Sequence, residues 1–181
     1  MKKAFVIYAS KYGTTEKYAR WIADEIDAGV SDVKRVKTLK IFQNETIIFG
    51  GAMQAGNVRG IDYISKHKDI LEGKTLIIFT CGISNPEDTA EMEKIDAAIR
   101  AKLPENLQNA QIFHLRGGVD YSKLGFVDKT MLGMMCKMLK NKPSEELTED
   151  ERVIIEAYGK SVDFMSRESI APIVEACRRE I

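Results

Sequence analysis

The first chemically suggestive segment of this 181-residue chain is a hydroxyl-rich turn that follows an apolar run and precedes a helical pattern. The apolar run covers residues 4–9, and the turn behind it carries hydroxyls at Ser10, Thr14 and Thr15 and a glycine at Gly13. Exposed backbone N–H groups at a helix start, together with the positive end of the helix dipole, bind anions. The glycine permits a tight turn and the hydroxyls add donors. The segment therefore predicts a phosphate-binding turn, and the alternative is an ordinary helix cap by Ser10 or Thr14.

The same turn lacks the residues that would cleave a phosphate. It contains neither the G-x-x-x-x-G-K-[ST] loop of nucleoside triphosphatases nor the G-x-G-x-x-G turn of dinucleotide-binding domains. No cysteine nucleophile lies between strand and helix, and no Asp or Glu ends the strand as a metal-dependent phosphoacceptor would require. The turn is therefore suited to holding a phosphate. We identify no residue as a catalytic acid or base and no metal site.

The composition predicts a globular protein with one domain, residues 1–181. Lys and Arg number 27, as do Asp and Glu, so the net charge gives no reason to expect a nucleic acid partner. The three cysteines are widely spaced, which is typical of reduced thiols in a cytosolic protein. No apolar run reaches the ~18 residues that a transmembrane helix needs, and residues 4–9 predict a strand rather than a signal peptide. We therefore expect a cytoplasmic protein.

Apolar segments alternate with helical patterns along the chain. Near-continuous apolar strands are typical of a parallel sheet that is covered by helices on both faces. The sequence therefore predicts a doubly wound α/β three-layer sandwich with a five-stranded parallel sheet of order 2-1-3-4-5. The predicted strands are 4–9, 46–51, 75–81 and 111–115, with a weaker strand at 32–38. The predicted helices cover 14–28, 59–71, a segment from Asn85, a segment from Thr148, and 169–181.

Two of these helix starts have specific signatures. Asn85 followed by Pro86 predicts a cap and a first helical position. Thr148 followed by Glu151 is a capping-box pattern. The helix after Thr148 is predicted to carry one apolar stripe, formed by Ile154, Tyr158, Val162 and Met165.

The loops at the carboxyl ends of the strands are the expected ligand site of such a fold. Besides the turn at 10–15, these are the loops at 50–60 and 80–85, which are rich in small residues that permit close backbone approach. Met53 could lie on a ring face, because thioethers pack well on aromatic rings. Together the loops fit a phosphate that is attached to a planar heterocycle. Taken separately, they are also what ordinary strand-to-helix loops look like.

At these loops the chain resembles the flavodoxins. The segment S-K-Y-G-T-T at 10–15 resembles the phosphate signature [ST]-x-[TY]-G-x-T, and G-G-A-M-Q-A-G at 50–56 resembles the G-S-x-I-x-x-G loop of a flavodoxin subgroup. The resemblance covers about residues 3–165 and implies a flavodoxin-like fold with FMN as cofactor. It implies that the phosphate is held by Ser10, Lys11, Tyr12, Gly13, Thr14 and Thr15. It also implies that the isoalloxazine is flanked by Ala52, Met53, Gln54, Ala55, Gly56, Thr80, Cys81 and Gly82.

A segment after the last strand, at about 118–143, refines this resemblance. The segment contains, in order, Gly-Gly, Tyr, Asp-Lys and a Met-rich basic helix. This order resembles the corresponding segment of the menaquinone-dependent protoporphyrinogen dehydrogenases, which are flavodoxin-like enzymes of haem biosynthesis. The resemblance implies an FMN-dependent oxidoreductase with a quinone or another redox partner. The alternatives are a soluble electron carrier without its own substrate and a non-redox domain that binds another phosphorylated ligand.

The Met-rich segment is itself amphipathic. Residues 123–142 contain five lysines and one acid, Asp128. The apolar face is predicted to consist of Leu124, Val127, Met131, Met134, Met135 and Met138, with Lys129, Lys137 and Lys140 opposite. One interpretation is a peripheral contact of 123–142 with the inner face of the membrane. A second is an adaptable surface for a partner, a homodimer or an apolar substrate, and a third is a helix packed on the sheet with a solvated lysine face.

Two further residues have predicted roles. His114 in the last strand is predicted to be a hydrogen-bonded core residue, without a pattern that indicates a general base or a metal ligand. Tyr121 could reach the edge of a bound ring, or it could anchor local packing.

Overall fold

A computed structural model describes residues 3–54 and 56–180 of the chain. Its strands are β1 Ala4–Ala9, β2 Gly29–Asp32, β3 Thr46–Gln54, β4 Asn57–Val58, β5 Thr75–Gly82, β6 Gln111–Arg116, β7 Gly118–Asp120 and β8 Ser161–Asp163. Its α-helices are α1 Thr14–Glu25, α2 Thr38–Phe42, α3 Asp62–Lys66, α4 Lys68–Leu71, α5 Thr89–Arg100, α6 Phe126–Leu139, α7 Glu149–Ala157 and α8 Ala171–Glu180. Among these helices, none combines the length and the apolar character that crossing a bilayer would require.

The main sheet is parallel and has the order β2-β1-β3-β5-β6, with β4 paired antiparallel to the end of β3. Counted without the short hairpin strand β4, this is the predicted order 2-1-3-4-5, and the prediction is confirmed. Ala9 is level with Gly51, and Gly51 with Thr80. The carboxyl ends of β1, β3 and β5 therefore meet at one edge of the sheet, where the predicted site loops begin.

Side chains alternate between the two faces of the sheet, and each face carries its own core. Ile7 and Phe49 belong to a cluster with residues of α3, α4 and α5. Val6 and Ile48 belong to a second cluster with residues of α1 and α8. The central strands are buried on both sides, which explains why they read as continuous apolar runs.

Two predicted elements are misplaced. The weaker strand, expected at 32–38, lies at Gly29–Asp32. Asp32 ends it, because its carboxylate accepts the Lys34 N–H at 2.8 Å and its carbonyl accepts the N–H groups of Arg35 and Val36, which closes a turn. The helix expected at 59–71 is divided into α3 and α4 at His67, whose ring nitrogen lies 2.8 Å from the Tyr63 carbonyl oxygen.

Of the two helix starts predicted from specific signatures, one is wrong and the other is confirmed. The start predicted at Asn85 and Pro86 is wrong, since Asp88 is the cap of α5 and accepts the Glu91 N–H at 3.0 Å. Asn85 closes the preceding turn by accepting the Glu87 N–H at 3.1 Å. The capping box at Thr148 is confirmed, with reciprocal bonds to Glu151.

The apolar stripe predicted after Thr148 is interrupted. α7 ends at Ala157, and Gly159 adopts a positive φ of 77° that reverses the chain. Val162 therefore lies in β8, opposite Val119 of β7, and does not continue the helix face. The tail helix is confirmed as α8.

Candidate functional site

The predicted phosphate turn, residues 10–15, has the shape of an anion-binding helix start. Gly13 is the cap of α1 and has a φ of 93°, a conformation that favours glycine. Ser10 Oγ accepts the Gly13 N–H at 3.0 Å, which leaves the Ser10 hydroxyl hydrogen free to donate. The helix begins at Thr14, so the first-turn N–H groups have no partners within the helix.

Thr15 provides the most specific observation in this turn. The residue is 0% exposed, yet its Oγ1 has no hydrogen-bond partner among the described residues. The Cys81 thiol is a neighbour of this hydroxyl, but the two atoms do not meet hydrogen-bond geometry. Because an unsatisfied buried hydroxyl is costly, it marks a place where a ligand acceptor would be favourable.

A cavity of about 240 Å³ lies beside this turn, at the carboxyl edge of the sheet. Its volume is slightly below the ~300–1,000 Å³ that is typical of small-molecule sites. Most of its walls are apolar side chains and glycines, with polar groups concentrated near Lys11 and Asp128. The lining residues are Lys11, Tyr12, Thr14, Ala52, Met53, Gln54, Cys81, Gly82, Ile83, Gly117, Gly118, Val119, Leu124, Asp128, Met131, Leu132 and Met135.

The structure brings most of the predicted cofactor residues together at this cavity. Eight of them line it: Lys11, Tyr12, Thr14, Ala52, Met53, Gln54, Cys81 and Gly82. Ser10, Gly13 and Thr15 belong to the adjoining turn, whereas Gly56 lies in the β3–β4 hairpin and lines a separate small crevice. Ala55 lies outside the described residues.

Thr80 belongs to a different network. Its hydroxyl lies 2.8 Å from His114 Nδ1, and His114 Nε2 lies 3.0 Å from Asp96 Oδ1. His114 is thus hydrogen-bonded, as the sequence predicts. The Thr80 side chain is engaged in this network, and Thr80 is not among the residues that line the cavity.

The loops after β5 and β6 are in close contact at the cavity. A Cβ added to Gly117 would lie 2.8 Å from Cys81 Sγ, and the Gly117 N–H donates to the Gly82 carbonyl at 2.6 Å. Burial raises the pKa of Cys81 to about 11, against a smaller opposing effect of the Thr14 and Thr15 hydroxyls. The thiol is therefore protonated at neutral pH and behaves as an apolar wall group.

Asp128 is a charged site residue that the sequence does not predict. We use the term Asp128 junction for its carboxylate and the three groups around it. Lys11 Nζ lies 2.5 Å from Asp128 Oδ2, the Tyr12 hydroxyl donates to the same oxygen, and Gln54 Nε2 lies 3.5 Å from Oδ1. The Gly125 N–H donates to the Tyr12 oxygen at 3.1 Å. The junction thus connects the start of α6 to the phosphate turn and to the end of β3.

The charges of the junction stabilise one another. Lys11, and then Tyr12, hold the pKa of Asp128 below its usual range, and Asp128 in turn raises the pKa of Lys11. Lys11 was expected to contact phosphate, but its ammonium is paired with a carboxylate. The signal in the sequence was that Asp128 is the one acid among five lysines in 123–142.

Helix α6 presents apolar residues both to the cavity and to solvent. We call Leu124, Met131, Leu132 and Met135 the apolar wall, since they line the cavity. The outer stripe consists of Val127, Met134 and Met138, which are 67%, 64% and 71% exposed. The buried residues of α6 are Cys136 and Leu139, with Cys136 Sγ 3.4 Å from the Ile154 carbonyl oxygen of α7. The interpretation of a helix packed on the sheet with a solvated lysine face is not what the structure shows, because the buried residues of α6 face α7.

Tyr121 does not line the cavity. Its ring packs edge-on against Tyr158, with centroids 5.3 Å apart, and Lys129 lies over it at 5.3 Å. The structure thus agrees with the packing role. Within the described residues, no three His, Cys, Asp or Glu side chains are grouped as metal ligands.

Comparison with known proteins gives the family. Residues 5–146 match the flavodoxin domain family, and the chain belongs to it. No curated protein matches the chain.

Solved structures share the fold at low sequence identity. A candidate flavoprotein from Bacteroides eggerthii has 16% identity and a TM-score of 0.50, and the match covers 62% of this chain and 87% of that one. The WrbA-like flavodoxin of Agrobacterium tumefaciens has 15% identity over 100% of both chains, with a TM-score of 0.49. A flavoprotein from Lactobacillus acidophilus in complex with FMN has 14% identity and a TM-score of 0.46, covering 64% and 93%.

Proposed function

We propose that the protein binds FMN, with its phosphate in the phosphate turn and its isoalloxazine in the adjoining cavity. The observation that carries this proposal is the Thr15 hydroxyl, which is fully buried at the start of α1 and has no partner among the described residues. A phosphate oxygen would accept its hydrogen, together with those of the first-turn N–H groups. The FMN that is bound to the Lactobacillus acidophilus flavoprotein is consistent with this choice.

The cavity is suited to a flat ring. Met53 and the Cys81 thiol offer polarisable contacts, and Gly82 and Gly117 let the backbone approach closely. When it is bound, FMN supplies the hydride and electron transfer chemistry, while the protein positions it and excludes water. The residues that would do so here are those of the three strand-end loops and the apolar wall.

We further propose that the protein is an oxidoreductase that acts on an apolar partner, similar to the menaquinone-dependent protoporphyrinogen dehydrogenases. The support is the apolar wall, which gives the cavity a methionine-rich side that a small hydrophilic partner would not need. A soluble carrier needs no such wall, since its partners are proteins. A quinone acceptor would be reduced to its hydroquinone by two electrons and two protons, which bound and reduced FMN would supply.

The outer stripe and the lysines of 123–142 support a peripheral membrane contact, because an apolar strip beside basic residues binds anionic bilayers. Flotation with vesicles that contain anionic lipid tests this. We expect binding that Met134→Glu abolishes. A dimer in size-exclusion chromatography that is also lost in Met134→Glu, without vesicle binding, would assign the stripe to a homodimer and overturn the membrane contact.

The cofactor is tested by adding FMN, desalting and recording a visible spectrum. We expect flavin bands to be retained by the natural protein and lost in Thr15→Asp, which places a negative charge in the turn. The anaerobic, reduced holoprotein should then be reoxidised by menadione, a soluble naphthoquinone, with saturation kinetics. Absence of retained flavin at micromolar protein would refute the cofactor, and a rate that never saturates would refute a quinone site.

A further inference from the structure

We propose that Asp128 is a positioning residue that fixes the apolar wall over the flavin cavity and thereby selects an apolar electron acceptor over a hydrophilic one. The inference rests on the proposed function for its acceptor chemistry. The positioning role of Asp128 is independent of the proposed function, because it is a property of the protein without its cofactor.

The connectivity of α6 makes Asp128 the key contact. Near its carboxyl end the helix is held by α7, where Cys136 contacts Ile154, and Lys142 pairs with Glu151 at 2.6 Å. At its amino end, the Asp128 junction connects it to the phosphate turn and to Gln54. The cap residue Gly125 also donates to the Tyr12 oxygen, and Lys129 lies over the Tyr121 ring. The outer stripe between these ends is exposed to solvent and adds no packing.

The position of Asp128 in α6 relates it directly to the apolar wall. Met131, Leu132 and Met135 follow at i+3, i+4 and i+7, so they lie on the same face of the helix as Asp128. All four residues line the cavity. A rotation or a displacement of the amino end of α6 would therefore move the wall away from the ring and admit water.

The chemistry of the junction favours a single arrangement. The Asp128 side chain is 15% exposed and that of Lys11 29%, so the pair is screened less than a surface ion pair. Arg59 also lies near enough to favour the charged carboxylate, and it donates to Gln54 Oε1 at 3.3 Å. An asparagine at 128 would keep the shape and lose the charge, which weakens every one of these contacts at once.

Selectivity follows from the position of the wall. With α6 in place, an acceptor reaches the ring through a methionine-rich gap that suits a naphthoquinone and disfavours a hydrated anion. With α6 displaced, the apolar contacts are lost and the ring becomes accessible to water. Loss of Asp128 should therefore affect the two acceptors in opposite directions, whereas a loss of bound flavin would lower the reaction with both.

The test compares Asp128→Asn with Asp128→Glu and with the control Asp120→Asn. Asp120 is in the same segment and pairs with Lys123 at 3.1 Å, so the control removes a nearby charge without touching the junction. The reduced holoprotein is oxidised by menadione or by ferricyanide in 0.5 M KCl, which screens long-range attraction of the anion. Ferricyanide takes one electron per molecule, so two molecules oxidise each flavin and two protons are released to solvent.

For Asp128→Asn we expect the KM for menadione to rise about tenfold and the ferricyanide rate constant to increase several-fold. Asp128→Glu should restore most of the natural behaviour, and Asp120→Asn should match the natural protein. The selectivity would be refuted if the reactivity toward both acceptors rose together or fell together. It would also be refuted if Asp120→Asn had as large an effect as Asp128→Asn.

Hydrogen exchange of the flavin-free protein provides a measurement that does not depend on activity. The amides of residues 129–134 should exchange about tenfold faster in Asp128→Asn than in the natural protein, while those of 136–139 change little. Equal exchange in the two proteins would overturn the positioning role. If the protein retains no FMN, the proposed function fails by itself, and the exchange result still decides whether Asp128 positions α6.

Discussion

Thr15→Val should make the flavin-free protein more stable and the flavin complex weaker. The substitution replaces the Thr15 hydroxyl by a methyl group of similar size. In the flavin-free protein that hydroxyl is 0% exposed and has no partner among the described residues, so it opposes folding. In the proposed complex it donates to a phosphate oxygen. The same atom therefore has effects of opposite sign on the two states.

The magnitudes follow from the cost of an unsatisfied hydroxyl. A buried polar group without a partner costs about 1–3 kcal/mol, so the variant should gain about 1 kcal/mol in free energy of unfolding. For a chain of this length, that corresponds to a rise in Tm of about 2–4 °C. A hydrogen bond to a charged acceptor contributes about 1.5–3 kcal/mol, so the Kd for FMN should rise about 10- to 150-fold.

Thr46→Val is the matched control. Thr46 is 1% exposed, and its Oγ1 is also buried without a partner in the part of the chain that the structure describes, but it begins β3 at the opposite edge of the sheet. At about 3.3 Å per residue, it lies about 20 Å from Ala52 at the cavity. The control should therefore raise the Tm by a similar amount and leave the Kd for FMN unchanged.

The assay combines thermal unfolding without flavin and titration of apoprotein with FMN, for the natural protein and both variants. A lower Tm for Thr15→Val together with an unchanged Kd would refute the reasoning, because the hydroxyl would then have a partner within the protein. An equal loss of FMN affinity in Thr46→Val would show that the effect is not local to the phosphate turn.

Three further predictions concern the same site. Because Lys11 and then Tyr12 lower the folded pKa of Asp128, its carboxylate stabilises the protein above the unfolded-state value of about 3.9, and this contribution disappears as the pH falls through the lower folded value. Asp128→Asn should thus lower the free energy of urea unfolding by about 1 kcal/mol at pH 7 and by progressively less below pH ~4, and a cost independent of pH would contradict this. Gly13→Ala should lower the free energy of thermal unfolding by about 1–2 kcal/mol, because the φ of 93° is strained for alanine. No described atom lies within 4 Å of the added Cβ, so a much larger loss would indicate an unrecognised clash. Cys81, with a pKa of about 11, should be alkylated by iodoacetamide very slowly at pH 8, where about one thiol in a thousand is ionised, and rapidly once urea is added, as mass spectrometry of its peptide would show.

The sequence predicts the elements whose signals are local. The strands β1, β3 and β5 are buried on both faces over most of their length, so each forms an apolar run that needs no knowledge of its neighbours. The phosphate turn is equally local, since its glycine, its hydroxyls and the helix start lie within six residues. The order of the sheet then follows from the topological rules of doubly wound folds.

What the sequence could not predict depends on distant contacts. The sequence predicts Asn85 as the cap of the helix, whereas Asp88 caps it, and the Asn85 N–H donates to the distant Asp150 carboxylate at 2.9 Å. Val162 has the period of a helix face, but its pairing with Val119 depends on where β7 lies. Neither contact has a signal in the neighbouring residues.

Within the candidate site, the Asp128 junction is also a distant contact that the sequence could not predict. Tyr12 and Asp128 are separated by 116 positions, and no local pattern at either residue indicates the other. The flavodoxin sheet places the phosphate turn and the strand-end loops by its own geometry, whereas α6 is held at the cavity by the Asp128 junction and by its contact with α7. In the proposed function, the phosphate contacts come from the turn at 10–15 and the acceptor contacts come from the apolar wall, and the Asp128 junction connects the two. It follows that substitutions in the apolar wall should alter the acceptor while leaving the affinity for the phosphate group largely intact.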